Sequence, residues 1–237
     1  MKALILAAGE GRRLYPLTQG TPKPMLPIVD VPVLERTLRW LQRYGVTQVA
    51  INLHYCGERI RAYFEDGSRW HMQLTYSYEP MILGTAGATI PLSSWLTETF
   101  LVVYGDNLFD VNLLSFISYH QKHRGDGTVA LHYRDNPTAS GIAQLDEQGR
   151  MVRFLEKPQP QQIFSRWVSA GLMVWESRVL ADIPAGQPCD WGRDLLPRWV
   201  ETKRVFGYQL GAVDRLWWID TPEDYRRVQA EFAQRAE

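Results

Sequence analysis

Cysteine is almost missing: Cys56 and Cys189 are the only two in 237 residues, too few for a disulfide scaffold or a Cys-rich zinc site. A reducing cytoplasm is the compartment that fits. Net charge is missing too. With 26 basic and 26 acidic residues, nothing draws the chain to nucleic acid or to an anionic membrane, and any phosphate binding falls to local basic loops. No stretch approaches the roughly 20 consecutive apolar residues of a membrane span. The opening apolar run is too short for a secretory signal, and an arginine pair and prolines follow it. Internal repeats, low complexity and linkers rich in Gly, Ser or charge are also lacking, so one domain over residues 1–237 is expected.

What is present organises itself around the first 28 residues. Lys2 to Ala8 is a short apolar run that ends at Gly9-Glu10-Gly11, which reads as a buried strand opening into a glycine turn. A helix normally follows such a turn. Here Pro16, Pro22, Pro24 and Pro27 fall within twelve residues and remove the donors a helix needs. The segment is therefore expected to be a long basic loop. Its glycines let backbone N–H groups approach a polyphosphate, and Arg12, Arg13 and Lys23 bring fixed positive charge to the same place. The dinucleotide fingerprint is excluded, because Leu14 occupies its third glycine and no helix follows. The P-loop is excluded by the absence of Gly-Lys-Ser/Thr.

Gly9-Glu10-Gly11-Arg12-Arg13-Leu14-Tyr15-Pro16-Leu17-Thr18, followed by Pro22-Lys23-Pro24-Met25-Leu26-Pro27-Ile28, resembles the signature of the sugar-1-phosphate nucleotidylyltransferases. The family usually has Thr where Arg12 stands, so the arginine carried over is Arg13, with Lys23 as the second catalytic cation. Ala8, Gly9 and Gly11 are implied as nucleotide-binding residues. The resemblance extends over nearly the whole chain and points to the nucleotidyltransferase core without the β-helix that some relatives append.

Downstream, Leu34, Leu38, Leu41 and Tyr44 recur at helical spacing up to Gly45, and Val46 to Leu53 reads as the second strand of a right-handed, parallel crossover. A short helix over Gly57 to Phe64 and a strand over Gln73 to Tyr78 follow, with His54 and His71 placed in loops rather than on metal. Gly84-Thr85-Ala86-Gly87-Ala88 reads either as a loop that admits the edge of a planar base or as a closely packed helix start. Leu83 to Gly87 resembles the family's base-recognition loop, especially in the mannose-1-phosphate guanylyltransferase branch, which implies nucleotide contacts from Gly84, Thr85 and Gly87.

Phe100 to Tyr104 is the most apolar strand and ends at Gly105-Asp106-Asn107. A carboxylate just past the end of a central strand suits Mg²⁺, and Asp106 coincides with the family's first metal ligand. A helix is expected near 110–124 and a strand over 129–133. Gly141 to Asp146 and Met151 to Glu156 should pair as a hairpin. Glu156-Lys157-Pro158 resembles the family's sugar-phosphate motif, and Ser169-Ala170-Gly171 its sugar-binding segment, with Ser140 and Ser169 where an aromatic residue and an asparagine are usual. The resemblance thus implies Asn107, Gly141, Glu156, Lys157, Ser169 and Gly171 on the sugar-phosphate side.

Asp190 to Val200 is expected to be helical with a kink or break at Pro197. Val205 to Leu210 and Leu216 to Ile219 are the last strands, and Thr221-Pro222-Glu223-Asp224 opens the final helix. Asp220 is expected as the second metal ligand, although its link to Thr221-Pro222 is two residues shorter than the family's, and Asp214 is the nearest upstream alternative. The nine tryptophans are assigned to core or subunit interface before carbohydrate stacking.

The fold implied is a Rossmann-like α/β/α sandwich with a mixed, mostly parallel central sheet. The activity implied is Mg²⁺-dependent transfer of a nucleotidyl group from a nucleoside triphosphate, GTP favoured, to mannose 1-phosphate or a relative. Alternatives are UTP with N-acetylmuramate 1-phosphate, GTP with a heptose 1-phosphate, or a nucleotide-sugar-sensing regulatory subunit. A glycosyltransferase is disfavoured, since Asp106-Asn107-Leu108 lacks the second aspartate of Asp-x-Asp. The expected partners are the triphosphate and the sugar 1-phosphate, with no nucleic acid and no membrane; a homodimer is allowed, not required.

Overall fold

A computed structural model describes residues 1–236. In chain order the elements begin with β1 (Lys2–Leu6), β2 (Pro27–Ile28), β3 (Val31–Pro32), α1 (Val33–Arg43), β4 (Gln48–Leu53), α2 (Gly57–Phe64) and β5 (Gln73–Tyr78). Then come α3 (Gly84–Gly87), β6 (Phe100–Tyr104), β7 (Asn107–Asp110), α4 (Leu113–His123), β8 (Gly127–Tyr133), β9 (Ile142–Leu145), β10 (Met151–Leu155) and β11 (Trp167–Trp175). The chain finishes with α5 (Leu196–Thr202), β12 (Val205–Gln209), β13 (Arg215–Trp218) and α6 (Pro222–Ala236). A 9-stranded sheet forms the expected mixed, mostly parallel centre, while β2 with β3 and β7 with β13 make separate 2-stranded sheets. No helix among the described residues is long and apolar enough to cross a membrane.

Two compact units make up the chain. An amino-terminal unit comprises Lys2–Ile82, Val103–Asp110 and the residues from Leu216 onward; a central unit comprises Leu83–Val102 and Val111–Arg215, with Met1.

In the amino-terminal unit β1, β4 and β5 pair in parallel, with Leu6 opposite Asn52 and Asn52 opposite Ser77. Ala3, Leu4 and Ile5 are fully buried, as are Val49, Ala50 and Ile51, which is why these strands read as continuous apolar runs instead of alternating ones. α1 turns Val33, Leu34, Thr37, Leu38, Trp40 and Leu41 inward and ends where the Gly45 N–H donates to the Gln42 carbonyl in a left-handed backbone conformation. No α-helix forms between β1 and β2. The prolines leave only single 3₁₀ turns at Arg12–Leu14 and Lys23–Met25. α6 is capped as its sequence promised: the Asp224 N–H donates to Thr221 Oγ1 at 3.1 Å, and the Thr221 N–H donates back to Asp224 Oδ2 at 3.1 Å. It packs on a small core of Leu14, Leu26, Ile28, Leu108, Trp217 and Ile219.

In the central unit β8 lies between β11, antiparallel, and β12, parallel. The β9–β10 hairpin forms where expected. Trp175 and Trp191 stack at 4.7 Å with 9° between their planes, and Trp199 meets both edge-on. All three are buried, so they serve the core. The helical run changes type beside Pro197: a π-helical turn at Trp191–Leu195 gives way to α5, with Pro197 in its first turn, where a missing N–H costs no α-helical hydrogen bond.

Candidate active site

The first glycine loop leaves β1 at Leu6 and is pinned along its length. Gly11 adopts φ 64, and its carbonyl accepts from the Leu14 N–H and from Thr18 Oγ1, both at 2.9 Å. A Cβ at this position would lie 3.0 Å from Lys23 Cβ, so glycine permits both the left-handed turn and the close approach of the Lys23 turn. Farther along, the Gly20 N–H donates to the Tyr55 hydroxyl at 2.8 Å, and that hydroxyl donates to the Thr18 carbonyl at 3.1 Å. Arg59 reaches Thr21 Oγ1 at 2.9 Å. A segment without helix or strand is thereby fixed by side chains. Space is open where a Cβ of Gly9 would stand, and Ala8 beside it is buried.

Four charged side chains meet in this unit. Lys23 Nζ donates to Asp106 Oδ2 at 2.7 Å and to Asp220 Oδ1 at 3.2 Å, and Arg13 Nη2 donates to the same Asp220 oxygen at 3.0 Å. Prolines on both sides of Lys23 hold its backbone, and its side chain is only 7 % exposed. Arg13 stands 65 % exposed at the rim. Asp106 lies in the turn that follows β6, and Asp220 follows β13. The shortened link before α6 therefore does not draw Asp220 away from Lys23. Asp214 is elsewhere employed: Oδ2 accepts from the Gly211 N–H at 2.8 Å and Oδ1 from the Asn112 N–H at 3.0 Å. Arg12 pairs with Glu10, and that hydrogen bond holds the Glu10 carboxyl below its usual range.

Asn107, next to Asp106, is buried, and its Oδ1 has no hydrogen-bond partner. No group of three or more His, Cys, Asp or Glu side chains suited to a metal occurs among the described residues. The fit to Mg²⁺ rests on the donor chemistry: two hard carboxylates share one cation, and Mg²⁺ usually takes one or two carboxylates together with water and substrate phosphates.

In the central unit the Glu-Lys-Pro motif and the Ser-Ala-Gly segment come together. The Gly141 carbonyl accepts from the Ser169 N–H at 2.8 Å, and the Lys157 N–H donates to the Ser140 carbonyl at 3.2 Å. Glu156 folds back between two glycines: a Cβ on Gly141 would lie 2.5 Å from its Oε2, and one on Gly192 would lie 2.3 Å away. Burial pushes the Glu156 carboxyl up, against the opposing pull of the Lys157 charge. Lys157 itself is exposed and holds φ 48, a conformation that costs a non-glycine residue about 1–2 kcal/mol and clusters at functional sites. β11 bulges between Ser169 and Met173, with Gly171 at φ 73 inside the bulge.

The second glycine stretch is the short helix α3. The Ala86 and Gly87 N–H groups both donate to the Cys189 carbonyl at 2.9 Å, while Thr85 N and Oγ1 donate to Asp190 Oδ1 at 3.1 and 3.0 Å. A Cβ on Gly84 would lie 2.5 Å from the Cys189 carbonyl oxygen. Of the two readings open at this stretch, close packing at a helix start is the one these contacts describe. Asp190, which orders Thr85, and Gly192, which admits Glu156, escaped the sequence reading; both stand at the Trp191 turn, where only long-range contacts reveal a purpose.

The nucleotidyl transferase family model matches residues 2–235. A UTP–glucose-1-phosphate uridylyltransferase from Synechocystis is 34% identical over 220 residues, covering 87% of this chain and 57% of its own length. A mannose-1-phosphate guanylyltransferase from Mycobacterium tuberculosis is 33% identical over 234 residues, covering 97% of this chain and 64% of its own length. The chain thus spans less than two thirds of either relative. A solved structure of a putative glucose-1-phosphate thymidylyltransferase from Bacillus anthracis superposes with a TM-score of 0.87 at 21% identity, over 98% of this chain and 94% of that one. That likeness establishes the Rossmann-like fold. With the family model spanning residues 2–235, the chain belongs to the nucleotidyl transferase family.

Proposed function

We propose that the protein transfers a nucleotidyl group from a nucleoside triphosphate to a sugar 1-phosphate and releases pyrophosphate. The observation that carries this reading is the Lys23 ammonium shared between Asp106 and Asp220 with Arg13 alongside, a charge set suited to polyphosphate and divalent cation together. A sugar-phosphate oxygen attacks the α-phosphorus, forming a new P–O bond as the bond to the β-phosphate oxygen breaks. The attacking oxygen is already ionised at neutral pH, so no general base is needed, and catalysis reduces to alignment and charge stabilisation. Arg13 takes the leaving pyrophosphate and Lys23 the α-phosphate. Backbone groups of Ala8, Gly9 and Gly11 hold the triphosphate. Gly84, Thr85 and Gly87 are carried as nucleotide contacts by resemblance. Lys157 takes the incoming phosphate, while Glu156, Asn107, Gly141, Ser169 and Gly171 receive the sugar. Asp106 and Asp220 would hold Mg²⁺, which supplies Lewis-acid charge neutralisation between two anions when bound.

The donor proposed is GTP and the acceptor mannose 1-phosphate or a near relative, on the strength of the Leu83 to Ala88 stretch and the guanylyltransferase relative. Pyrophosphate release measured across five nucleoside triphosphates and a panel of sugar 1-phosphates tests this. The highest kcat/KM should fall on GTP with mannose 1-phosphate. A preference for UTP or dTTP would overturn the base, and no release from any pair would overturn the reaction and favour a nucleotide-sugar-sensing module instead.

Lys157 gives a second test. Lys157→Ala should raise the KM for sugar 1-phosphate on the order of tenfold or more, since a charge-assisted contact to phosphate is lost, and should leave the KM for the triphosphate nearly unchanged. Equal increases in both constants would remove Lys157 from the acceptor side.

A further inference from the structure

At the carboxyl ends of β1, β4 and β5 two buried side chains are joined that the proposed chemistry does not use. β1 leaves its ladder after the pairing of Leu6 with Asn52, and the next amide, that of Ala7, lies at the entrance to the phosphate loop. Asn52 meets it: Oδ1 accepts from the Ala7 N–H at 2.6 Å, while Nδ2 donates to Glu79 Oε1 at 2.8 Å. Asn52 is 3 % exposed and Glu79 1 % exposed. The Glu79 backbone is held as well, its N–H donating to the Leu53 carbonyl at 2.8 Å and its carbonyl meeting His54 Nδ1 at 2.7 Å.

Burying a carboxyl group and a primary amide is costly unless each is hydrogen-bonded, and an apolar pair would fill the same space without that cost. What an apolar pair cannot do is fix an amide at the point where a strand becomes a loop. We propose that Asn52 and Glu79 are positioning residues for the phosphate loop. Glu79 orients the Asn52 amide so that its oxygen faces Ala7, and the Ala7 anchor sets the path of Ala8, Gly9 and Gly11. The inference rests on the nucleotidyl-transfer reading, because it assigns those backbone groups to the triphosphate.

A charge exchange tests the chain of contacts. In Asn52→Asp the carboxylate still accepts from Ala7, but its second oxygen faces Glu79 Oε1 across the present 2.8 Å contact with no donor between them. In Asn52→Asp combined with Glu79→Gln the donor returns from the opposite side and the pair closes again. Two readouts apply to each folded variant: KM for GTP, or for whichever triphosphate the wild type prefers, against KM for sugar 1-phosphate, and hydrogen exchange of the Ala7 to Gly9 amides.

The single variant should raise the triphosphate KM on the order of tenfold or more, as expected of a displaced binding loop. It should leave the sugar 1-phosphate KM nearly unchanged and speed exchange at Ala7 to Gly9, and the double variant should restore both. Should Asn52→Asp fail to fold, Asn52→Ser removes the reach to Ala7 and is read in the same way. An unchanged triphosphate KM and unchanged exchange, or parallel rises in both KM values, would overturn the proposal, as would a folded double variant that restores neither readout. The exchange measurement needs no turnover. A wild-type protein that releases no pyrophosphate would therefore sink the activity while leaving the positioning of the loop still decided by exchange.

Discussion

Lys23→Ala should lower kcat/KM for pyrophosphate release by on the order of a hundredfold to a thousandfold, the usual consequence of deleting one preorganised electrostatic donor, about 3–4 kcal/mol. The expectation follows from where the ammonium sits. It is almost wholly enclosed and touches both Asp106 and Asp220, so it is already in place when the transferred phosphoryl group accumulates charge and needs no reorganisation to meet it. Deletion also leaves two carboxylates without their shared cation, and part of the loss will appear as lower stability. Arg13→Ala separates these effects. Its guanidinium is mostly exposed and pairs with Asp220 alone among the described residues, so that variant should keep its melting temperature and still lose turnover on the same order, through the leaving pyrophosphate. Steady-state kinetics with thermal denaturation of both variants is the measurement. Near wild-type rates in both would remove the charge cluster from the chemistry.

The pattern that made this cluster legible in the sequence was chemical, not periodic. Prolines flanking a lysine forbid a helix, and that Pro-Lys-Pro segment has no evident structural purpose, so Arg12, Arg13 and Lys23 stood out as a basic loop before any contact was known, with the family resemblance selecting Arg13 over Arg12. The contacts themselves were not legible. Lys23 meets residues 83 and 197 positions away, and only the tertiary fold makes such pairs. The same division runs through the elements. Gln73–Tyr78 and Phe100–Tyr104 are strands where expected, because β-propensity and burial coincide there. β7 was missed: four residues beginning with Asn and ending with Asp carry no pattern, and the strand exists through its pairing with β13. At α3 the small residues fit a base-admitting loop and a packed helical turn equally well, and what packs there, Cys189 and Asp190, lies over a hundred positions on. Asn52 and Glu79 gave a weaker signal still, a polar residue inside an apolar strand and an acid just past the end of another.

Asp220→Asn and Asp214→Asn should part company sharply. Asp220 shares Lys23 with Asp106 and accepts from Arg13, so replacing its carboxylate with an amide keeps the shape and removes the charge that a hard divalent cation requires. Turnover should fall on the order of a hundredfold or more, and the Mg²⁺ concentration for half-maximal rate should rise well above the wild-type value. The amide nitrogen would also face two cationic donors, so saturating Mg²⁺ should restore little. Asp214 has a different task. Each of its oxygens takes one backbone N–H, from Gly211 and from Asn112, and an asparagine has only one acceptor oxygen for the two donors. Asp214→Asn should therefore cost about 1 kcal/mol of stability and leave both kcat and the Mg²⁺ titration nearly unchanged. Titrating Mg²⁺ against the rate of pyrophosphate release in the two variants, with a melting curve for each, reads all of these effects. The reverse pattern, with Asp214→Asn inactive and Asp220→Asn indifferent to Mg²⁺, would move the second carboxylate of the metal pair to Asp214 and leave Asp220 as no more than a structural counter-ion for Lys23 and Arg13.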